Sequence, residues 1–291
     1  MRMQDARIAI LGGRTGLLGQ ALTAALDQAG ATAFPLSRTD CDVLDPLSVE
    51  KWLNKHDPDL LINATAYTQV DLAEDEPEKA FALNASVPPL LATLAARRAI
   101  PFVHYSTDFV FNGRKTTPYT EYDEPNATSV YGISKADGER GLLKLGYERT
   151  LIIRISWLFG PGRTNFVKKI LGLADVHKNL TVVNDQIGSP SYTPDIAENT
   201  IKLLEKDATG IFHLANSGQT SWHGLANTAV NLAGKNCTVS PVPTSAYPTK
   251  AVRPLYSVLD LAKFTRTTGV RPRSWEEALK QYVLGDLGLG V

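Results

Sequence analysis

Short apolar runs alternate with amphipathic stretches through the first half of the chain. Arg7 to Leu11 reads as a buried strand, Gly12-Gly13-Arg14-Thr15-Gly16-Leu17-Leu18-Gly19 as a turn, and Leu18, Ala21, Leu22, Ala25 and Leu26 recur with the period of a helix. Gly30 ends that helix. Residues 32–36 predict a second strand, and residues 46–55 a helix with Val49, Trp52 and Leu53 inward. Residues 60–63 and 102–105 predict strands three and four, with helical material around 77–85 and 89–98 between them, and residues 150–154 a fifth strand. Strands alternating with helices imply a parallel sheet covered on both faces.

Beyond residue 160 the pieces shorten. Residues 166–174 are helix-like, residues 180–183 are apolar, and a helix begins near Pro194. Prolines crowd the stretch from Pro241 to Pro254. Ser274 and Glu277 form a capping box for a last helix reaching about Val283. The expected class is α/β: a Rossmann-type doubly wound parallel sheet in residues 1–160, then a smaller C-terminal substrate-binding lobe in residues 161–291 with segments returning to the first sheet.

Composition narrows the function. A chain of 291 residues, 43% hydrophobic and 21% charged, falls with ordinary globular proteins and away from disordered, collagenous or coiled-coil classes. Thirty basic residues against thirty acidic ones argue against nucleic-acid binding through a broad basic surface and against electrostatic membrane anchoring. Two cysteines, Cys41 and Cys237, are too few for a disulfide scaffold or a zinc cage. No apolar run spans a bilayer, and the stretch from Ile8 to Leu11 is too short for a secretory signal. These features predict a cytoplasmic protein that handles a small molecule.

Three local patterns carry chemistry. Glycines at Gly13, Gly16 and Gly19, between a strand and a helix, allow a pyrophosphate to approach the helix N-terminus, although tight helix–strand packing also favours glycine. Tyr131 and Lys135 lie one helical turn apart on one face, so they can act on one substrate atom, with the ammonium lowering the phenol's high pKa. Ser106-Thr107-Asp108 falls just past the fourth strand, where open α/β sheets bind ligands and a hydroxyl can hold a carbonyl. Each pattern has a bland counterpart in a solvated helix face or a turn. Their order along the chain favours chemistry. His104 and His213 sit in apolar strands without partners at metal-ligand spacing, and are expected to be hydrogen-bonded core histidines. Trp52, Trp222 and Trp275 are expected in the core.

From Arg7 to Pro254 the chain resembles the dTDP-4-dehydrorhamnose reductase family of extended short-chain dehydrogenases/reductases. The resemblance is carried by residues 63–68 with Val70 and Asp71, by residues 104–111, 131–135 and 154–157, and by residues 184–190 and 244–254 of the second lobe. It implies reduction of the C4 keto group of dTDP-4-dehydro-L-rhamnose, with Thr107, Tyr131 and Lys135 catalytic and Asp108 and Trp157 lining the sugar site. It also implies that Gly16-Leu17-Leu18, Asp42-Val43 and Thr65-Ala66-Tyr67 hold the cofactor. Around these, Gly13, Arg14, Thr15 and Gly19 are expected at the cofactor, and Val70, Ser106 and Phe109 at the sugar. Lys250 or Arg253 is expected to neutralise the diphosphate. Glutamates that bind magnesium at a dimer interface in some members correspond to Ala21 and Pro194, so no metal is expected, and the chain is expected to be a monomer or homodimer.

The end of strand two decides the cofactor. It reads Phe34-Pro35-Leu36-Ser37-Arg38, without the acidic residue that holds a ribose 2′-hydroxyl in NAD-specific sites. Ser37 and Arg38, with Arg14 from the turn, suit a 2′-phosphate. NADPH is the expected cofactor, with NADH weaker. Other functions remain compatible: another 4-keto sugar-nucleotide reductase, an epimerase, or a non-catalytic NADP-binding subunit like that of methionine adenosyltransferase. A dehydratase is disfavoured because Phe109, where dehydratases carry an acid, cannot move a proton.

Overall fold

The computed structural model describes residues 1–290. Six strands form one parallel sheet: β1 (Arg7–Leu11), β2 (Thr32–Leu36), β3 (Leu60–Asn63), β4 (Phe102–Thr107), β5 (Thr150–Ile155) and β6 (Gly210–Leu214). Their spatial order is β6-β5-β4-β3-β1-β2, so the direction of winding reverses between β1 and β3. That reversal opens a crevice at the carboxyl ends of the strands, where ligands of doubly wound folds bind.

Alternation along the strands fills both faces. In β1, Ile8 and Ile10 face a core shared with α1 (Leu17–Gln28), while Ala9 and Leu11 face one shared with α2 (Pro46–His56) and α3 (Val87–Arg97). The helix carrying the tyrosine, α4 (Val130–Leu145), starts where the Ser129 hydroxyl accepts the Gly132 N–H at 3.2 Å and stops at Gly146 in the left-handed region. A Cβ on Gly132 would lie 2.2 Å from the Phe109 carbonyl oxygen. The bare glycine therefore lets this helix press against the turn that follows β4.

The second lobe has its own core, in which α5 (Phe166–Val176) and α7 (Trp222–Leu232) meet Trp275, Leu279 and Tyr282. Between them, α6 (Thr193–Glu205) returns to the first sheet, placing Ile196, Ala197 and Ile201 with Leu22 and Leu26 of α1. The capping box on Ser274 and Glu277 is formed as expected. Strand four runs two residues beyond its expected end, so Ser106 and Thr107 close the strand and Asp108 opens a 3-10 turn. The helical material around 77–85 is two pieces, Pro77–Phe81 and a π-helical turn over Ala82–Ser86, whose Asn84 grips both backbone groups of Tyr67. No helix among the described residues is long and apolar enough to cross a membrane.

Candidate active site

One cleft of about 1250 Å³ runs along the carboxyl ends of the strands. It exceeds the ~300–1,000 Å³ that suits a single small ligand. At one end lie Gly12, Thr15, Gly16, Leu17 and Leu18, with Ser37, Arg38, Asp42 and Val43 beside them. Thr65, Ala66 and Val70 also line the cleft. At the other end Ser106, Thr107, Asp108, Phe109, Tyr131 and Lys135 face Trp157, Trp222 and Arg253.

The glycine end suits a dinucleotide. Gly16 is the N-cap of α1, no side chain caps that terminus, and no acidic residue occupies the first turn. Its free N–H groups and the positive end of the helix dipole are thus left for an anion. A Cβ on Gly19 would come within 2.2 Å of the Gly12 carbonyl oxygen, so the helix can sit this close to the turn only without one.

Several expected residues stand back from the cleft. Gly13 and Gly19 are packing glycines, the first against the Pro35 Cα and the second against Gly12. Arg14 turns to Asp40, 3.3 Å away, and the Tyr67 hydroxyl donates to Glu76 at 2.7 Å. Lys250 is exposed and paired with Asp75, so its charge is spent outside the cleft. Arg253 does face the cleft, but its guanidinium holds Asp71 through two bonds of 3.1 and 2.7 Å. Arg38 is beside the cleft and paired with Asp42 at 3.2 Å. Asp42, four residues on, thus competes for the arginine expected at the 2′-phosphate.

The reacting groups converge. Thr107 is 5% exposed and its hydroxyl donates to Asp108 Oδ1 at 3.2 Å, while Asp108 Oδ2 and the Ser106 hydroxyl are buried without a partner. Burial raises the Asp108 carboxyl to about 7, so near neutrality it holds its proton part of the time. Burial also raises the Tyr131 phenol to about 12, the Thr107 hydroxyl lowering it and the Asp108 carboxyl adding to the rise. Lys135, 1% exposed, is engaged elsewhere than at the phenol: its Nζ donates to the Tyr105 carbonyl at 2.6 Å and lies 3.2 Å from His104 Nε2. The expected lowering of the phenol by this ammonium is therefore absent from this arrangement. Lys135 itself is pulled down to about 8 by burial, with Glu139 opposing.

Trp157 and Trp222 form the far wall. Trp157 has φ of 45°, unusual for a bulky side chain, and its ring stacks on Trp222 with centroids 3.6 Å apart. Gly188 backs the indole, since a Cβ there would sit 2.4 Å from Trp157 Cε2. One indole face is thus committed to Trp222, which packs on the second lobe's core as expected but is half-buried and also lines the cleft. Nothing local marks Trp222. Its one sequence signal is Ser221, which caps α7 and fixes where the helix begins.

A doubly wound sheet with an open cleft at its switch point, lined by a tyrosine and a lysine one turn apart on one helix, defines a nucleotide-cofactor oxidoreductase of the short-chain type. The chain belongs to the RmlD substrate binding domain family, whose model matches residues 6–286. It is 40% identical to the spore coat polysaccharide biosynthesis protein SpsK of Bacillus subtilis over 93% of this chain and 95% of that protein. The dTDP-4-dehydrorhamnose reductase of Sinorhizobium fredii is 37% identical over 92% of this chain and 95% of its own. The crystal structure of the Bacillus anthracis dTDP-4-dehydrorhamnose reductase with NADP superposes with a TM-score of 0.92 at 31% identity, covering 97% of this chain and 99% of that one.

Proposed function

We propose that the chain is an NADPH-dependent reductase that converts dTDP-4-dehydro-L-rhamnose to dTDP-L-rhamnose in nucleotide-sugar biosynthesis. The observation that carries this is one cleft joining an uncapped helix N-terminus to Thr107, Tyr131 and Lys135, in a chain whose relatives include reductases of that sugar. NADPH supplies the hydride to C4. Gly12, Thr15, Gly16, Leu17 and Leu18 hold its pyrophosphate, Asp42, Val43, Thr65 and Ala66 its adenosine side, and Arg38 exchanges Asp42 for the 2′-phosphate. That exchange is cheap, because Arg38 is 79% exposed and an exposed ion pair contributes only ~0–1 kcal/mol.

Thr107 holds O4 of the sugar and Tyr131 protonates it, while Lys135 swings from the Tyr105 carbonyl toward the phenol and the ribose hydroxyls. Asp108 and Ser106, with unpaired atoms on the cleft, take the neighbouring hydroxyls. Trp157 and Trp222 offer an apolar wall to the 6-deoxy methyl, with Val70 and Phe109 completing the sugar site. Arg253 leaves Asp71 for the diphosphate. Residues 161–291 contribute Trp222 and Arg253 to the sugar side, and the protein acts in the cytoplasm as a monomer or homodimer.

The test is NADPH oxidation, followed spectrophotometrically, against a panel of dTDP-, UDP- and GDP-linked 4-keto sugars. Turnover with dTDP-4-dehydro-L-rhamnose at least tenfold above the rest is expected. Preference for another keto sugar would assign a sister reductase. Stoichiometric NADP binding without turnover of any of them would make the chain a binding subunit.

A further inference from the structure

Three buried side chains behind the cleft touch in series. Asn63 at the end of β3, His104 on β4 and Lys135 on α4 are each 0–1% exposed. Asn63 Nδ2 lies 3.1 Å from His104 Nδ1, and His104 Nε2 lies 3.2 Å from Lys135 Nζ. The direction of these bonds is set from the asparagine. Its Oδ1 accepts the Thr65 backbone N–H at 3.1 Å and the Thr65 hydroxyl at 2.6 Å, so its amide nitrogen faces the ring and can only donate. Nδ1 is therefore the acceptor. His104 is neutral, since burial, and after it the Lys135 charge, hold it well below the usual histidine range. Its hydrogen then sits on Nε2, aimed at Lys135. Facing a free amine, that N–H donates to a lone pair; facing an ammonium, it sets proton against proton. The bond from Lys135 to the Tyr105 carbonyl can be kept by either form.

We propose that His104 is a positioning residue whose tautomer is coupled to the charge of Lys135, so that proton uptake by Lys135 moves the ring hydrogen from Nε2 to Nδ1 and releases Asn63. The pair gains one proton in all: Nδ1 acquires a hydrogen, Nζ goes from two to three, and Nε2 gives one up. The other groups around Lys135 leave this coupling in place. Glu139, one turn further along α4, is committed to Arg154 of β5 by bonds of 2.6 to 3.2 Å. Tyr131, one turn earlier, and Asp108, after β4, stand on the cleft side. The consequence for catalysis rests on the role proposed for Lys135; the tautomer coupling stands without it.

The test uses the full-length protein labelled with ¹⁵N-histidine, titrated without ligand. His104 is assigned among the five histidines by its loss in His104→Gln. The Nε2–H tautomer is expected at high pH and the Nδ1–H tautomer at low pH, switching where kcat/KM for keto-sugar reduction falls on its basic side. Asn63→Asp supplies a carboxylate that can only accept. It is expected to keep the hydrogen on Nδ1 at every pH and to move the basic limb up by one pH unit or more. A single His104 tautomer across the limb in the parent protein would overturn the coupling, as would an unmoved limb in an Asn63→Asp protein that binds NADP normally. A parent protein that reduces no keto sugar would remove the proposed function, while the titration would still decide the coupling.

Discussion

The two ends of the cleft are built by opposite means. The glycine end is made of backbone: a turn, a bare helix N-terminus and two strand ends, assembled from residues close in sequence. The sugar end is made of side chains held by distant partners, Trp157 by Trp222 and Arg253 by Asp71 across 182 residues. A backbone site tolerates change wherever no Cβ intrudes. A site made of paired side chains fails when either member of a pair is lost, and its groups are occupied with one another until a ligand displaces them.

That difference can be broken at the join, and then at each end. Tyr131→Phe, where the two ends meet, should lower kcat by roughly 10²–10⁴-fold, the usual contribution of general-acid catalysis, while the affinity for NADP measured by calorimetry stays near that of the parent. At the cofactor end, Arg38→Ala should cut the NADPH-over-NADH ratio in kcat/KM by about 10- to 100-fold through NADPH alone, because a hydrogen bond to a charged group contributes ~1.5–3 kcal/mol. An unchanged ratio would show that Arg38 stays with Asp42. At the sugar end, Gly188→Ala drives a methyl into the Trp157 indole and should raise the sugar KM by about tenfold with NADPH KM unaffected. Equal loss of both would show that the ends are not separable.

The smallest effect is on stability against pH. The Asp108 carboxyl is raised in the fold, so between about pH 4 and about pH 7 the folded state binds more protons than the unfolded one. Its contribution is full below the unfolded pKa and is lost as pH rises through the folded one. Asp108 alone should therefore subtract from the stability of the ligand-free protein as pH rises over that window, while the buried, lowered His104 and His213 add to it. Asp108→Asn should remove its loss, so that stability in urea titrations rises more, or falls less, between about pH 4 and about pH 7 than in the parent; an unchanged pH dependence would place the effect on another group.

The same contrast explains what the sequence made legible. The strands, α1 and the capping box of Ser274 follow from local periodicity and cap chemistry, because those signals act within a few residues. Tyr131, Lys135 and Thr107 were readable for the same reason, since helix spacing and a strand end place them. The partners of Lys250, Arg253 and Arg38 were not, because the competing Asp75, Asp71 and Asp42 carboxylates become neighbours only through folding or a turn. Trp222 read as core, and it does pack on the second lobe's core, but its other role was not legible. Only the stacking of Trp157 upon it reveals a wall.

The most direct measurement uses NADPH carrying deuterium on nicotinamide C4, incubated with dTDP-4-dehydro-L-rhamnose and the full-length protein, with the product read by mass spectrometry and NMR. Reduction with Tyr131 as proton donor predicts dTDP-L-rhamnose with one deuterium at C4, formed in step with NADPH loss. An isomerised sugar with no net NADPH loss, or unchanged substrate beside tightly bound NADPH, would contradict it.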